Sequence, residues 1–166
     1  MSPPLPCNPG YSAATARSLP VTRAWLYQPD QEWSYSHHAH LTCFAGRYLA
    51  MWSNGRRDED APGQRVLMAS SADGRHWSTP KPLLDSLPGK HSERVLTAAG
   101  WHQHAGQLVA YVGAYEYRPE ALENGQRRSG DKGHQDTTLL ALTSKDGVSW
   151  SEPHDLGLPI VPNFGP

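Results

Sequence analysis

The chain has 166 residues, a net charge of −1 and a pI near 6.7, which leaves no electrostatic footprint for nucleic acid or an anionic membrane. Its two cysteines, Cys7 and Cys43, are too few and too far apart for a disulfide framework, and no Cys-x-x-Cys occurs. No apolar run approaches membrane-spanning length, and the start lacks the basic and apolar regions of a secretion signal.

Five prolines in the first 20 residues predict a flexible, proline-rich N-terminus over residues 1–22. Ser36-His37-His38-Ala39-His40 follows, with three of the chain's nine histidines in four positions. Strand alternation would put His38 and His40 on one face and His37 on the other. Imidazole serves near neutral pH as a base, an acid or a metal ligand, and the plainer reading is a packing cluster. Runs rich in Val, Leu, Tyr and Trp then predict strands over residues 40–44, 48–53, 65–70 and 77–83. Asp58-Glu59-Asp60, before Pro62-Gly63, reads as a hydrophilic loop with no opposing partner.

From Ser71 the chain reads S-x-D-G-x-x-W-S-x-P, through Asp73, Gly74, Trp77, Ser78 and Pro80. The pattern returns 73 residues later as Ser144, Asp146, Gly147, Trp150, Ser151 and Pro153. This predicts a tight hairpin turn: Asp accepts backbone N–H groups two residues on, Gly takes a positive φ, and Trp covers the turn. A second echo, Ala45-Gly46 and Ala105-Gly106, lies 60 residues apart, so the second unit carries about 13 extra residues. The surplus falls in residues 116–135, a polar stretch that reads as a loop insertion. The second unit's strands are predicted over residues 95–102, 108–114, 137–143 and 150–156. Within it, Tyr111, Tyr115 and Tyr117 should share one face, with Arg118 on the other. A cationic neighbour would lower a phenol's pKa and suit it to proton donation. His102 and His104 lie close to a turn and are weaker candidates.

The fold class is therefore all-β. Two four-stranded antiparallel units in tandem read as β-propeller blades, blade one over residues 36–84 and blade two over 93–157, with a third starting at 158–166. A closed ring needs at least four blades. The expectation is the N-terminal part of a propeller of six or seven blades, or a truncated reading frame, that stacks on its remaining blades.

The two S-x-D-G turns resemble the Asp-box of sialidases and related propellers, one residue shorter between Asp and Gly. In that superfamily the box joins the third and fourth strands at the rim, so Ser71, Asp73, Gly74, Trp77, Ser144, Asp146, Gly147 and Trp150 carry structural roles. Tyr35 through Leu41, Tyr48 through Gly55 and Pro62 through Val66 further resemble blade one of the propeller-type polysaccharide lyases, the ulvan and rhamnose–glucuronate lyases. The likeness covers roughly residues 33–166. It implies β-elimination on uronate-containing glycans, with His37 or His38 as base, Tyr115 or Tyr117 as acid, and an arginine such as Arg118 on the carboxylate. His40, Trp52, Asn54 and Arg56 would bind substrate, Trp52 and Trp101 by stacking on sugars. It implies no cofactor, assigns no metal ligands and leaves room for a structural divalent metal. It also implies a poly- or oligosaccharide partner and a secreted or periplasmic location. The family's second channel histidine has no counterpart, residues 54–57 standing there instead. The alternatives are a sialidase-like exo-glycosidase, although the Arg-Ile-Pro start motif is missing, and a non-catalytic glycan-binding module.

Overall fold

The computed structural model describes residue 18, residues 20–128 and residues 133–163. Most of the proline-rich segment 1–22 thus lies outside the described residues. The rest is two antiparallel four-stranded sheets. Blade one has the order β1 (Tyr35–Phe44), β2 (Arg47–Gly55), β3 (Arg65–Ser71), β4 (Lys81–Leu84). Blade two runs β5 (Val95–His104), β6 (Gln107–Tyr117), β9 (His134–Ser144) and β10 (His154–Asp155), with β5 and β10 at its edges.

The turns explain the sheets. Ala45 (φ 49) and Gly46 (φ 72) join β1 to β2, and Ala105 (φ 48) with Gly106 (φ 75) join β5 to β6. Both central residues are left-handed, the geometry that matches the twist of paired strands. After β3, Asp73 Oδ1 accepts the N–H groups of Arg75 and His76, both at 2.8 Å, and Ser71 Oγ accepts that of Gly74 at 2.9 Å. After β9 the same bonds recur: Asp146 Oδ1 takes Val148 and Ser149, both at 2.8 Å, and Ser144 Oγ takes Gly147 at 2.8 Å. Gly74 and Gly147 have φ of 73° and 72°. The N–H groups of Ser149 and Val148 pull the Asp146 carboxyl down to about 2, and those of His76 and Arg75 depress Asp73 as well. Trp77 and Trp150 are half-buried, Trp77 against Ala50, Trp52, Leu67 and Ala69 of its own blade and Trp150 against the core shared between the blades.

Three boundaries differ from the sequence reading. β1 starts at Tyr35, because Tyr35, Ser36 and His37 pair with Gly55, Asn54 and Ser53, so the histidines lie inside the strand. The fourth strands are shorter than expected; Trp77 makes only an isolated bridge to Ser71, and Pro80, Pro82 and Pro153 supply no N–H to a ladder. The insertion at 116–135 is partly ordered. β6 continues to Tyr117, a 3-10 turn spans Pro119–Ala121, and β7 (Leu122–Glu123) pairs with β8 (Gln126–Arg127) around Asn124-Gly125. Residues 129–132 lie outside the described residues. Residues past β10 run along blade two: Leu156 N–H donates to Leu139 O, Leu139 N–H to Leu158 O, and Val161 covers Gly113.

Alternation divides blade one between two cores. Ala50, Trp52, Leu67 and Ala69 face Leu26, Tyr27 and Trp77. Met51 and Val66 face the other way and meet Leu96, Ala98, Ala110, Val112, Ala114, Leu140 and Leu142 of blade two. Polar bonds bind the same seam: Ala98 N–H donates to Ser53 Oγ (2.9 Å), and Trp101 Nε1 donates to His40 O (3.3 Å).

Two predictions follow from this packing. Gly147 and Gly46 share φ +72, but a Cβ on Gly147 would meet Leu49 Cδ1 of blade one at 3.0 Å, whereas one on Gly46 meets nothing within 4 Å. Gly46→Ala should cost roughly 1–2 kcal/mol from the left-handed backbone alone, and Gly147→Ala clearly more, in urea unfolding. Glu116, 1% exposed, receives the N–H groups of Lys90 (3.2 Å), His91 (3.1 Å) and Ser92 (3.3 Å). Burial opposes its ionisation, yet these donors hold its carboxyl below the ordinary value of 4.5. A carboxyl lowered by folding stabilises above its unfolded value and loses that contribution as pH falls through the folded one. Glu116→Gln should therefore destabilise at pH 7 by about 1–3 kcal/mol, since an amide leaves donors facing donors, and should flatten the acid limb of Tm against pH.

Candidate functional site

Both Asp-Gly turns lie at one end of the blades, where Tyr48 pairs with Ser71 and Leu108 with Ser144. At the other end, Tyr35 pairs with Gly55, Asn54 with Arg65, and Val95 with Tyr115. The candidate groups gather at this second end.

A β-bulge between His37 and His40 shifts the register of β1 and breaks its alternation. His38 sits in it at φ 50, so the His37 and His38 rings pack as neighbours, tilted by 36° with centroids 4.3 Å apart, instead of facing opposite ways. β5 bulges at a comparable place, between Ala98 and Trp101, but there Gly100 (φ 109) takes the positive angle. His37 Nε2 lies 3.0 Å from Gln64 Oε1, and its Nδ1 lies 3.3 Å from Glu59 Oε1. Burial and the neighbouring His37 lower the His38 pKa, while Glu59 and Asp60 pull it back. Asp58-Glu59-Asp60 is thus more than a solvated loop. Asp60 is half-buried at φ 64, and its N–H donates to Gln64 Oε1 at 3.1 Å.

Asp60 also faces blade two. Its charge acts on Tyr115 and Tyr117 as well as on His38. Tyr115 and Tyr117 share a face, as alternation predicts, packed edge to face with centroids 5.7 Å apart. His134 stacks on Tyr115 at 4.1 Å and meets Tyr117 edge-on at 5.1 Å. The two tyrosines are 2% and 0% exposed. Their hydroxyl oxygens feel each other, Asp60 and Arg127, but stop short of hydrogen-bond geometry. Burial, the largest cause, pushes both phenols above their ordinary value, so each stays protonated at neutral pH.

The charge of Asp60 thus reaches His38 in blade one and Tyr115 and Tyr117 in blade two, with His37 packed against His38, and the other expected residues are employed differently. The guanidinium beside Tyr117 is that of Arg127, on the β7–β8 hairpin; Arg118 is exposed and lies against Gly133. His40 Nε2 meets Ala98 O at 3.3 Å in the seam between blades. Trp52 is 4% exposed, its ring 5.6 Å from that of Tyr27, which leaves no face for a sugar. Trp101 is half-buried and packs on Trp150 at 5.7 Å. Asn54 is fully buried, its amide donating to Tyr35 O and its Oδ1 accepting from Arg65 Nε at 3.0 Å. Arg56 pairs with Glu93 at 2.9 Å and lies over Trp33, whose ring Arg65 covers at 3.6 Å. His102 and His104 stack at 6.1 Å at the far end of β5. Asp60, Gln64, Arg127 and His134 are the members the sequence reading missed; only Asn124-Gly125, a hairpin signal next to Arg127, could have flagged one of them.

The fold itself has parallels among solved structures. Those that align with it include one described as "Sialidase", 16% identical with a TM-score of 0.57 over 80% of this chain and 14% of that one, and the Trypanosoma rangeli sialidase in complex with sialic acid, 16% identical with a TM-score of 0.52 over 73% of this chain and 20% of that one. The chain thus spans a fifth or less of the length of these sialidases. No curated protein matches it. The family described as "BT_1020-like, N-terminal beta propeller" matches residues 15–110. With more than half its length matched and both sheets in propeller order, the chain belongs to that β-propeller family.

Proposed function

We propose that these blades are part of a carbohydrate-active propeller whose histidine–tyrosine end acts on an acidic glycan, by β-elimination beside a uronate carboxylate. The observation that carries the reading is Asp60, whose charge acts both on His38 of blade one and on Tyr115 of blade two. Elimination needs a base for the proton α to the carboxylate, a proton for the departing 4-oxygen, and positive charge near the carboxylate. Asp60 is the half-buried carboxylate that can take the proton and, once protonated, return it to the departing 4-oxygen as the C–O bond breaks. His37 and His38 form the wall beside it. Tyr115 and Tyr117, too buried to touch a sugar, are positioning residues whose protonated phenols feel the Asp60 charge. Arg127, half-buried on its hairpin, contributes positive charge.

Hydrolysis is the second reading, favoured by the likeness to sialidases. Two features weigh against it. A sialidase mechanism calls for an arginine cluster and an activated tyrosine, whereas Arg56, Arg65 and Arg94 bind Glu93, Asn54 and Asp136 O. The phenols, moreover, are raised and not activated.

The test is incubation with uronate-containing polysaccharides, followed by the ultraviolet absorbance of the 4,5-unsaturated product. Asp60→Asn should lower the rate by roughly 100-fold or more, the usual scale of a lost acid–base group. Tyr115→Phe should lower kcat with KM unchanged. Full activity in Asp60→Asn would remove Asp60 from the chemistry. Released sugar without the absorbance would favour hydrolysis, and binding without products a glycan-binding module.

A further inference from the structure

We propose that His37, His38 and Glu59 form a binding site for one divalent first-row transition cation, with zinc the best match. Each offers one ligand atom, and these atoms lie within 4.8 Å of one another, an arrangement found nowhere else among the described residues. The hydrogen bonds around them give the cluster its direction. Gln64 is fully buried, and its amide Nε2 donates to Leu96 O (2.9 Å) and Thr97 Oγ1 (3.3 Å). Its Oε1 accepts the N–H of Asp60. These bonds fix which end of the amide is oxygen, and that oxygen can only accept. His37 Nε2, 3.0 Å away, is therefore assigned the hydrogen, and Nδ1 keeps its lone pair.

That lone pair faces Glu59 Oε1 at 3.3 Å. Two acceptors so placed repel unless positive charge lies between them. His38 Nδ1, buried as well, has no hydrogen-bond partner. Its backbone holds φ 50 inside the bulge, an angle that costs a non-glycine residue energy. An imidazole donating its other N–H to a carbonyl oxygen is the usual support of a metal-ligating histidine, and Gln64 supplies it. Two imidazoles and a carboxylate suit zinc and leave a fourth position open, whereas calcium and magnesium prefer oxygen alone. Glu59, half-exposed on its loop, has the freedom to close on the ion.

The cation site stands on geometry; its use rests on the glycan reading above. A cation there would turn its open position toward the carboxylate of an acidic sugar and neutralise it, which no member of the His37–Glu59 wall does alone.

The test is titration of chelator-treated protein with Co2+, read by visible absorption and calorimetry. A variant carrying His102→Ala and His104→Ala serves as reference, since it lacks the stacked histidine pair at the opposite end. One equivalent should bind in the micromolar range or tighter, with the intense absorption of a four- or five-coordinate ion, and Zn2+ should displace it. Glu59→Gln, a substitution on an exposed side chain, should weaken binding roughly ten-fold or more, as should His38→Ala. Absence of binding would mean that a proton on His37 meets Glu59 instead, and would overturn the site. Binding unchanged in Glu59→Gln would also overturn it. Cobalt binding as described, with no action on any uronate polymer, upholds the site and overturns only the glycan reading. Glycan cleavage undiminished in chelator, with no cobalt bound, does the reverse.

Discussion

The side chain of Gln64 joins the two blades at the candidate site, and the arrangement there depends on it. One amide accepts from Asp60 N–H, meets His37 Nε2, and donates to Leu96 O and Thr97 Oγ1 across the seam. Its own backbone carbonyl takes the N–H of Leu96. A fully buried amide must satisfy both ends or pay heavily in lost solvation. Here that requirement ties a histidine wall, an acidic loop and the innermost strand of blade two into one geometry. An apolar residue of the same size would fill the space and leave Asp60, His37 and Leu96 without their shared partner.

Backbone strain is distributed in line with this. Six described residues other than glycine have positive φ. Ala45, Ala105 and Asn124 occupy hairpin turns, where the angle is the turn's own requirement. His38, Asp60 and Asp136 do not, and all three lie at the end opposite the Asp-Gly turns. Blade two shows that a bulge in the first strand can be built on glycine, at Gly100. In the bulge of blade one the positive angle falls on His38, and conformational cost is accepted where a side chain is needed.

The sequence was legible where structure is local. The paired Asp-Gly turns, the Ala-Gly hairpins and the strand cores all involve residues close along the chain, and their side-chain chemistry states the geometry outright. The alternation of Tyr115 and Tyr117 was legible for the same reason. The bulge was not: His37 and His38 pack side by side because of how β1 registers on β2, and no residue type there announces an extra position. Nor were Asp60 and Gln64, whose roles come from partners in the other blade. Arg118 and Arg127 differ only through a small hairpin that turns the chain back, and Asn124-Gly125 was its one written sign. Trp52 and Asn54 were read as ligand groups because large and polar residues suit sugars; the same properties suit a core and a buried bracket.

The Asp-Gly turns also bear on the order in which the molecule assembles. Each closes its bonds within a few residues, Ser71 to His76 and Ser144 to Ser149, so little chain entropy opposes it. The bonds of Gln64 to blade two span 32 and 33 residues and need two finished hairpins to meet. Contacts of that range are slow to form, whereas hairpins close in microseconds. The rim of each blade is thus a self-contained nucleus, and the histidine–tyrosine end is a late product of docking. Transient opening of the seam would dismantle that end and leave both turns standing, so the molecule can lose its chemistry without losing its strands.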